Sequence, residues 1–237
     1  PVVFAGVYLM TMIFAGSAII VIQGIRIPRL TKAQLAEGGR PMTEIMRQPA
    51  YIVALTSSMF GYAVMTLIMT ATPLAMLACG FHFNDSATVI QGHVVGMFLP
   101  SFFTGHLITR FGVLTIIAAG AIIQMGCALI NLSGIEFMHF FWANVLVGIG
   151  WNFTYVGGST LLTTTYRPAE RAKVQASHDF IVYATTALSA GLSGVLQAQV
   201  GWQIVNMAAL PLMAVVFLAA VALARHQARE ATAAGSG

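Results

Sequence analysis

The sequence is poor in charge: Asp, Glu, Lys and Arg together make up 8% of its 237 residues. Soluble domains carry about 25% of such residues, so a soluble globular fold is excluded. Hydrophobic residues make up 58% of the chain and the mean hydropathy is +0.83, which predicts an integral membrane protein. Cysteine is also scarce, and the two residues present, Cys79 and Cys127, exclude a disulfide-rich scaffold.

Seven apolar segments are long enough to cross a bilayer, which takes about 20 residues each. We predict spans at 1–24, 50–77, 87–108, 113–132, 136–160, 174–197 and 202–224. Residues 25–49 are polar and basic, and they predict a linker with a short amphipathic helix before Pro49. Residues 225–237 are predicted to form a tail.

The basic residues support this count of spans. All 11 Lys and Arg residues fall on one side when the seven segments alternate in direction, whereas Asp85 and Glu136 fall on the other side. The positive-inside rule then places the basic side and the C-terminus in the cytoplasm. This topology explains the net charge of +4 without a nucleic-acid partner. A retinal protein is excluded because Lys32 and Lys173 both lie in loops rather than inside a helix.

The loop GHLITRFG at residues 105–112 resembles the G-x-L-x-D-R-x-G loop of the major facilitator superfamily. Four positions agree, namely Gly105, Leu107, Arg110 and Gly112, and Thr109 departs from the Asp that the family most often has. The resemblance implies a twelve-helix transporter rather than an enzyme, with an all-α membrane fold.

In such a transporter, residues 1–24 would be the sixth helix, 25–49 the cytoplasmic linker and 50–224 the C-terminal six-helix bundle. The substrate would lie between the two halves near the midplane of the bilayer. The N-terminal half, absent from this sequence, would therefore be a partner of the chain.

Two pairs of residues at helical spacing stand out within the apolar segments. Met65 and Met69 lie four residues apart, as do His93 and Met97, so each pair shares one face of its helix. With a rise of about 1.5 Å per residue, the two pairs overlap in depth in the outer half of the membrane. Thioethers and a neutral imidazole form a soft set of ligands, which favours Cu(I) over Mg²⁺ or Ca²⁺.

Ordinary packing is the alternative explanation for the methionine pairs. Methionine is a flexible residue that fills apolar gaps, and Met42 and Met46 show the same spacing in the linker, where no membrane site is expected. An ionisable residue inside a membrane segment is nevertheless a functional candidate, and His93 is such a residue.

The M-x-x-x-M pair followed by the H-x-x-x-M pair resembles the signature of the CcoA-like bacterial copper importers. The resemblance implies that Met65, Met69, His93 and Met97 bind copper as the transported ion, with no prosthetic group. It also implies a multi-pass protein of the bacterial inner membrane that supplies copper for the assembly of a haem–copper oxidase.

Other polar and aromatic residues inside the spans are further candidates. Asp179 and Arg110 are predicted to act in gating or coupling, although Asp179 near a helix N-terminus also has an ordinary electrostatic explanation. We expect a cavity to be lined by Tyr62, Trp151, Asn152 and Tyr183.

Three hypotheses for the function follow. The first is a Cu(I) importer that works by alternating access. The second is a carrier of an organic solute such as riboflavin, whose ring would stack on the aromatic residues. The third is a membrane assembly factor that does not transport.

Overall fold

The computed structural model describes residues 5–25 and 39–235 of the chain. It divides the chain into two compact units, Pro1–Gly38 and Gly39–Gly237. The first unit contains helix α1, Ala5–Gln23, whose 19 residues have a hydropathy of 2.1 and can therefore cross a membrane. Most of the predicted linker falls on residues 26–38, outside the described residues.

The described part of the second unit consists of helices and the turns that join them. The short helix α2 is followed by five further helices, α3 to α7, and by a final helix, α8, that is kinked. Their bounds are α2 Met42–Met46, α3 Pro49–Ala78, α4 Phe83–Phe98, α5 Ser101–Phe111, α6 Val113–Ser133, α7 Phe137–Leu162 and α8 Arg171–Gly235. No strand occurs in residues 5–25 or 39–235, so the predicted all-α fold is confirmed.

Five of the described helices are long and apolar enough to cross a membrane, or six when the bent pair α4 and α5 counts as one span, and the seven predicted spans are matched only if α8 is divided at Gly201. The segment predicted as one span at 87–108 is a pair, α4 and α5, bent by 42° around Leu99 and Pro100. Helix α8 joins the last two predicted spans across a kink at Gly201, whose φ of 79° lies in the left-handed region that favours glycine. Its helical structure also continues through the predicted tail to Gly235.

Helix α7 lies against α3, α4 and α6, and small residues let the backbones approach each other. A Cβ atom added at Gly148 would lie 2.6 Å from the carbonyl oxygen of His93 and 2.9 Å from the amide nitrogen of Met97. From the other side, a Cβ atom at Gly96 would lie 2.5 Å from the carbonyl oxygen of Val145. Helices α4 and α7 are therefore in backbone contact at the depth of the His93 and Met97 pair.

Buried polar side chains join the remaining helices. Asn131 on α6 donates to the side chain of Asn206 on α8 at 2.8 Å. Ser189 and Ser193, both on α8, donate to backbone carbonyls of α3 at 2.8 Å. In an apolar environment such bonds add to the van der Waals packing that holds membrane helices together.

An ion pair closes the end of the unit where the basic residues lie, here called the basic end. The Arg40 guanidinium donates to both oxygens of the buried Glu170 carboxylate, at 2.8 and 3.0 Å. These hydrogen bonds raise the pKa of Arg40 above its ordinary value, so Arg40 stays charged. Arg40 and Gln48 also donate to the carbonyl of Thr165, each at 3.0 Å. The segment before α3 is thereby tied to the loop before α8.

The close contact at Gly148 leads to a prediction about stability. We expect Gly148→Ala to lower the free energy of unfolding by about 1–3 kcal/mol, because overpacking forces the two backbones apart. Gly126→Ala is the matched control, since nothing lies within 4 Å of a Cβ atom added there. Thermal unfolding of the detergent-purified, full-length protein measures both variants, and equal midpoints for the two would contradict the prediction.

Candidate functional site

The first methionine pair lies on the face of α3 that packs against α7. Met65 is buried, Met69 is half-buried, and Thr72 follows Met69 by three residues on the same face. The hydroxyl of Thr72 accepts a hydrogen bond of 3.1 Å from the side-chain amide of Asn144 on α7. The structure therefore directs this face of α3 towards Asn144.

His93 on α4 meets the same residue of α7. Its side chain is fully buried, and its Nδ1 atom lies 2.9 Å from the backbone carbonyl oxygen of Asn144. A carbonyl oxygen can only accept, so Nδ1 carries the proton and Nε2 presents a lone pair. Nε2 is buried and has no hydrogen-bond partner among the described residues. Metal-binding histidines are commonly oriented in this way, by a hydrogen bond from the ring nitrogen that does not bind the metal.

Asn144 thus connects the helices that carry the two pairs. Its side chain binds Thr72 on α3, and its carbonyl accepts from His93 on α4. Met97 follows His93 by one helical turn and is half-buried. The structure brings three helices together at this point, with Met65 and Met69 on the face of α3 that Thr72 shares.

The chemistry of the available donors limits which metal could bind there. No group of three or more His, Cys, Asp or Glu side chains in the described ranges could hold a metal ion. Cys79 is exposed and Cys127 is buried, and both are free. A metal at His93 would therefore depend on methionine thioethers, which select soft ions such as Cu(I).

Four aromatic residues form a second feature, here called the aromatic cluster: Tyr62, Trp151, Tyr155 and Tyr183. The rings of Trp151 and Tyr155 stack with their centroids 5.2 Å apart and an interplanar angle of 9°. Tyr62 meets Trp151 edge-on at 5.3 Å and Tyr183 at 6.0 Å. Trp151 is largely buried, but Tyr183 is 52% exposed, so the cluster reaches an open surface.

The aromatic cluster and the Asn144 contact share one face of α7. Trp151 follows Asn144 by seven residues, or roughly 10 Å along the helix axis. Because α7 runs towards the basic end, the aromatic cluster lies closer to that end than His93 does.

Asn152 was predicted to line a cavity, and the structure buries it completely. Its amide group bonds to α4 and α5 on both sides of their break, through Met97, Ser101 and Thr104. In this conformation Asn152 belongs to the packing between helices.

The predicted gating residues lie near the basic end. Asp179 on α8 has a half-exposed carboxylate, 3.0 Å from Nδ1 of the neighbouring His178. Arg110 is exposed at the end of α5, where its guanidinium lies 5.2 Å from the centre of the Phe111 ring. The structure does not bring Asp179 and Arg110 together as an ion pair among the residues it describes.

Sequence reasoning missed four residues that the structure makes prominent. They are Thr72 and Asn144, which orient the proposed site, Tyr155 in the aromatic cluster, and the buried His178 beside Asp179. A signal existed for Asn144, because an amide within the apolar segment FFWANVLVG has to find a hydrogen-bond partner. No signal in the sequence identified Thr72 as that partner.

Comparison with known proteins assigns a family to most of the chain. The family model described as Major Facilitator Superfamily matches residues 53–236. The match includes every helix from α4 to α8 and nearly all of α3.

Several curated transporters are similar to the chain. The riboflavin transporter RfnT of Brucella anthropi is 39% identical over 217 residues, which are 91% of this chain and 54% of that protein. The uncharacterized MFS-type transporter YddS of Bacillus subtilis is 30% identical over 171 residues, or 71% of this chain and 39% of that protein. YdeG of the same organism, also an uncharacterized MFS-type transporter, is 32% identical over 149 residues. The chain spans about half the length of RfnT and less of the other two.

Proposed function

We propose that this chain, which belongs to the major facilitator superfamily, forms one half of a Cu(I) importer that works by alternating access. The family and the relatives named as transporters identify it as part of a transporter and not an enzyme. The observation that carries the choice of copper is the orientation of His93. Its buried Nε2 lone pair has no partner among the described residues, and Asn144 of α7 links His93 to Thr72, which shares a helix face with Met65 and Met69.

The proposed ligand set suits a monovalent ion that must cross an apolar region. Two thioethers of α3, the imidazole of His93 and the thioether of Met97 are all neutral, and they bind Cu(I) without placing a second charge in the membrane. A carboxylate ligand would cost more to bury whenever the site is empty. Desolvation of the site therefore favours the neutral ligands that this sequence provides.

In the proposed cycle, the ion enters from the side opposite the basic end and rests at His93. In this proposal the membrane is the bacterial inner membrane and the basic end faces the cytoplasm, as the positive-inside rule predicts. The two halves of the transporter then rock around the site and open it towards that end. Asp179 and Arg110, both near the basic end, would contact the other half and act as gates or in coupling. The imported copper would serve the assembly of a haem–copper oxidase.

A second candidate function is the transport of riboflavin. It is favoured by the aromatic cluster, whose parallel Trp151 and Tyr155 rings form a surface on which a flavin ring could stack. The relative from Brucella anthropi is named as a riboflavin transporter, and it is 39% identical to this chain. The two cargoes would use different residues of the same bundle, so mutations can separate them.

The first test concerns the methionine pair. We expect Met69→Leu in the full-length protein to insert normally and to lose most copper uptake, because leucine keeps the apolar volume and removes the sulfur ligand. The matched control is Met125→Leu, which changes another half-buried methionine on α6. Uptake of radioactive copper into cells measures both variants, and equal uptake by the two would return the pair to ordinary packing.

The second test concerns His93 and uses binding rather than transport. We expect His93→Leu to weaken Cu(I) binding by about tenfold or more, because an imidazole ligand is lost from the site. His93→Met supplies another soft donor and should retain part of the affinity. Competition with a chromogenic Cu(I) chelator measures the affinity of the purified full-length protein. Wild-type affinity in the His93→Leu variant would remove α4 from the proposed site.

The third test separates the two cargoes. We expect Trp151→Leu to leave more copper uptake than Met69→Leu does, since Trp151 lies outside the proposed ligand set. If the protein carries riboflavin, uptake of labelled riboflavin will fall in Trp151→Leu and persist in Met69→Leu. Uptake of neither cargo by the wild-type protein would instead favour the assembly factor that does not transport.

A further inference from the structure

The break between α4 and α5 lies at Leu99 and Pro100, one residue beyond the end of α4 and two residues after Met97. Pro100 has no amide hydrogen, so it cannot continue the ladder of helical hydrogen bonds, and the two helices meet at an angle of 42°. The ladder resumes through shorter-range bonds, from Phe102 to Leu99 at 3.4 Å and from Phe103 to Pro100 at 2.9 Å. Backbone carbonyls in the turn before the break therefore need other donors.

Asn152 of α7 supplies such a donor and holds both sides of the break. Its Nδ2 atom donates to the carbonyl oxygen of Met97 at 2.8 Å and to the hydroxyl oxygen of Ser101 at 2.6 Å. Its Oδ1 atom accepts from the hydroxyl of Thr104 at 2.6 Å. Met97 lies before the break, and Ser101 and Thr104 lie after it. All of these contacts are made by a side chain that is fully buried.

Ordinary bonding between helices does not have this pattern. Asn131, for example, is also buried and joins α6 to one residue of α8, Asn206, at an unbroken part of both helices. Asn152 instead spans a bend, and one of its partners is the backbone of a proposed copper ligand. A side chain in this position can set the angle between α4 and α5 and the orientation of the last turn of α4, which carries Met97.

We propose that Asn152 is a positioning residue, which fixes the bend between α4 and α5 and thereby holds Met97 in the cargo site. The part of this inference that concerns Met97 rests on the proposed copper function. The part that concerns the bend does not. The two parts are tested separately, so that failure of one can be distinguished from failure of the other.

The bend is tested without copper. Nitroxide labels at Asn84→Cys and His106→Cys, both at exposed positions, report the distance across the break in the full-length protein. The background carries Cys79→Ser because Cys79 is exposed, whereas Cys127 is buried and will not react. We expect Asn152→Leu to broaden the distance distribution and lengthen its mean as the helix pair straightens. Asn131→Leu is the matched control and should leave the distribution unchanged.

Thr104→Val provides a milder variant if Asn152→Leu does not fold. It removes the bond from Thr104 to Asn152, together with the 2.8 Å bond from the same hydroxyl to the carbonyl of Pro100, and it preserves the volume of the side chain. We expect the same change in the distance distribution, but a smaller one. A wild-type distribution in every folded variant of this set would overturn the proposed role of Asn152 in the bend.

The link to Met97 is tested by a double-mutant cycle on Cu(I) affinity. We expect Asn152→Leu alone to weaken binding by about tenfold or more, as the loss of outer-shell partners commonly does. In a Met97→Leu background the same change should have little further effect, because the ligand that it positions is gone. An equal loss in both backgrounds would show that Asn152 does not act through Met97. Absence of copper binding in the wild-type protein would contradict the proposed function. The distance measurements with nitroxide labels would still decide whether Asn152 fixes the bend.

Discussion

Direct contact between the backbones of α4 and α7 is the constraint on which the rest of the proposed site depends. Gly96 and Gly148 leave no room for a side chain between the two helices, so their relative depth and rotation are fixed. That fixed depth brings the imidazole of His93 to the carbonyl of Asn144. The same contact brings Asn152 to the break after Met97. In this packing Nδ1 of His93 is bonded to Asn144, whereas Nε2 has no hydrogen-bond partner among the described residues.

The fold could be predicted from the sequence to a large extent because the membrane imposes simple rules. Apolar length identifies the spans, and the sidedness of the Lys and Arg residues checks their number. The loop at residues 105–112 indicated the superfamily, which the family match confirms. Bends and breaks within the spans were harder to predict, because a proline or glycine within an apolar segment can leave a helix straight, bend it or end it. Pro100 bends its helix pair, whereas Pro73 lies inside α3 without ending it.

The candidate site could be predicted only in part. Spacing of four residues placed Met65 with Met69 and His93 with Met97 on shared faces, but it could not say which neighbouring helix each face meets. The residues that settle this, Thr72 and Asn144, are 72 positions apart in the sequence, and nothing local links them. The sequence also did not reveal which polar side chains are buried between helices, which is why Asn152 was predicted to line a cavity. The copper ligands remain a prediction.

The two candidate cargoes require different side chains but the same helix packing, here called the frame. The glycines of the contact between α4 and α7, the Asn144 bonds and the Asn152 bonds would support either a metal ion or a flavin. Overall identity to a transporter therefore reports mainly on this frame, since function depends on the sites that a fold carries. The choice of cargo rests on a few side chains that face the path. A flavin ring binds through stacking and hydrogen bonds to its edge, so it would not require the buried Nε2 atom of His93 or the methionine thioethers. A copper ion would not require the stacked rings of Trp151 and Tyr155. The His93 site and the aromatic cluster, which meet the same face of α7 at different depths, can therefore be changed separately by mutation.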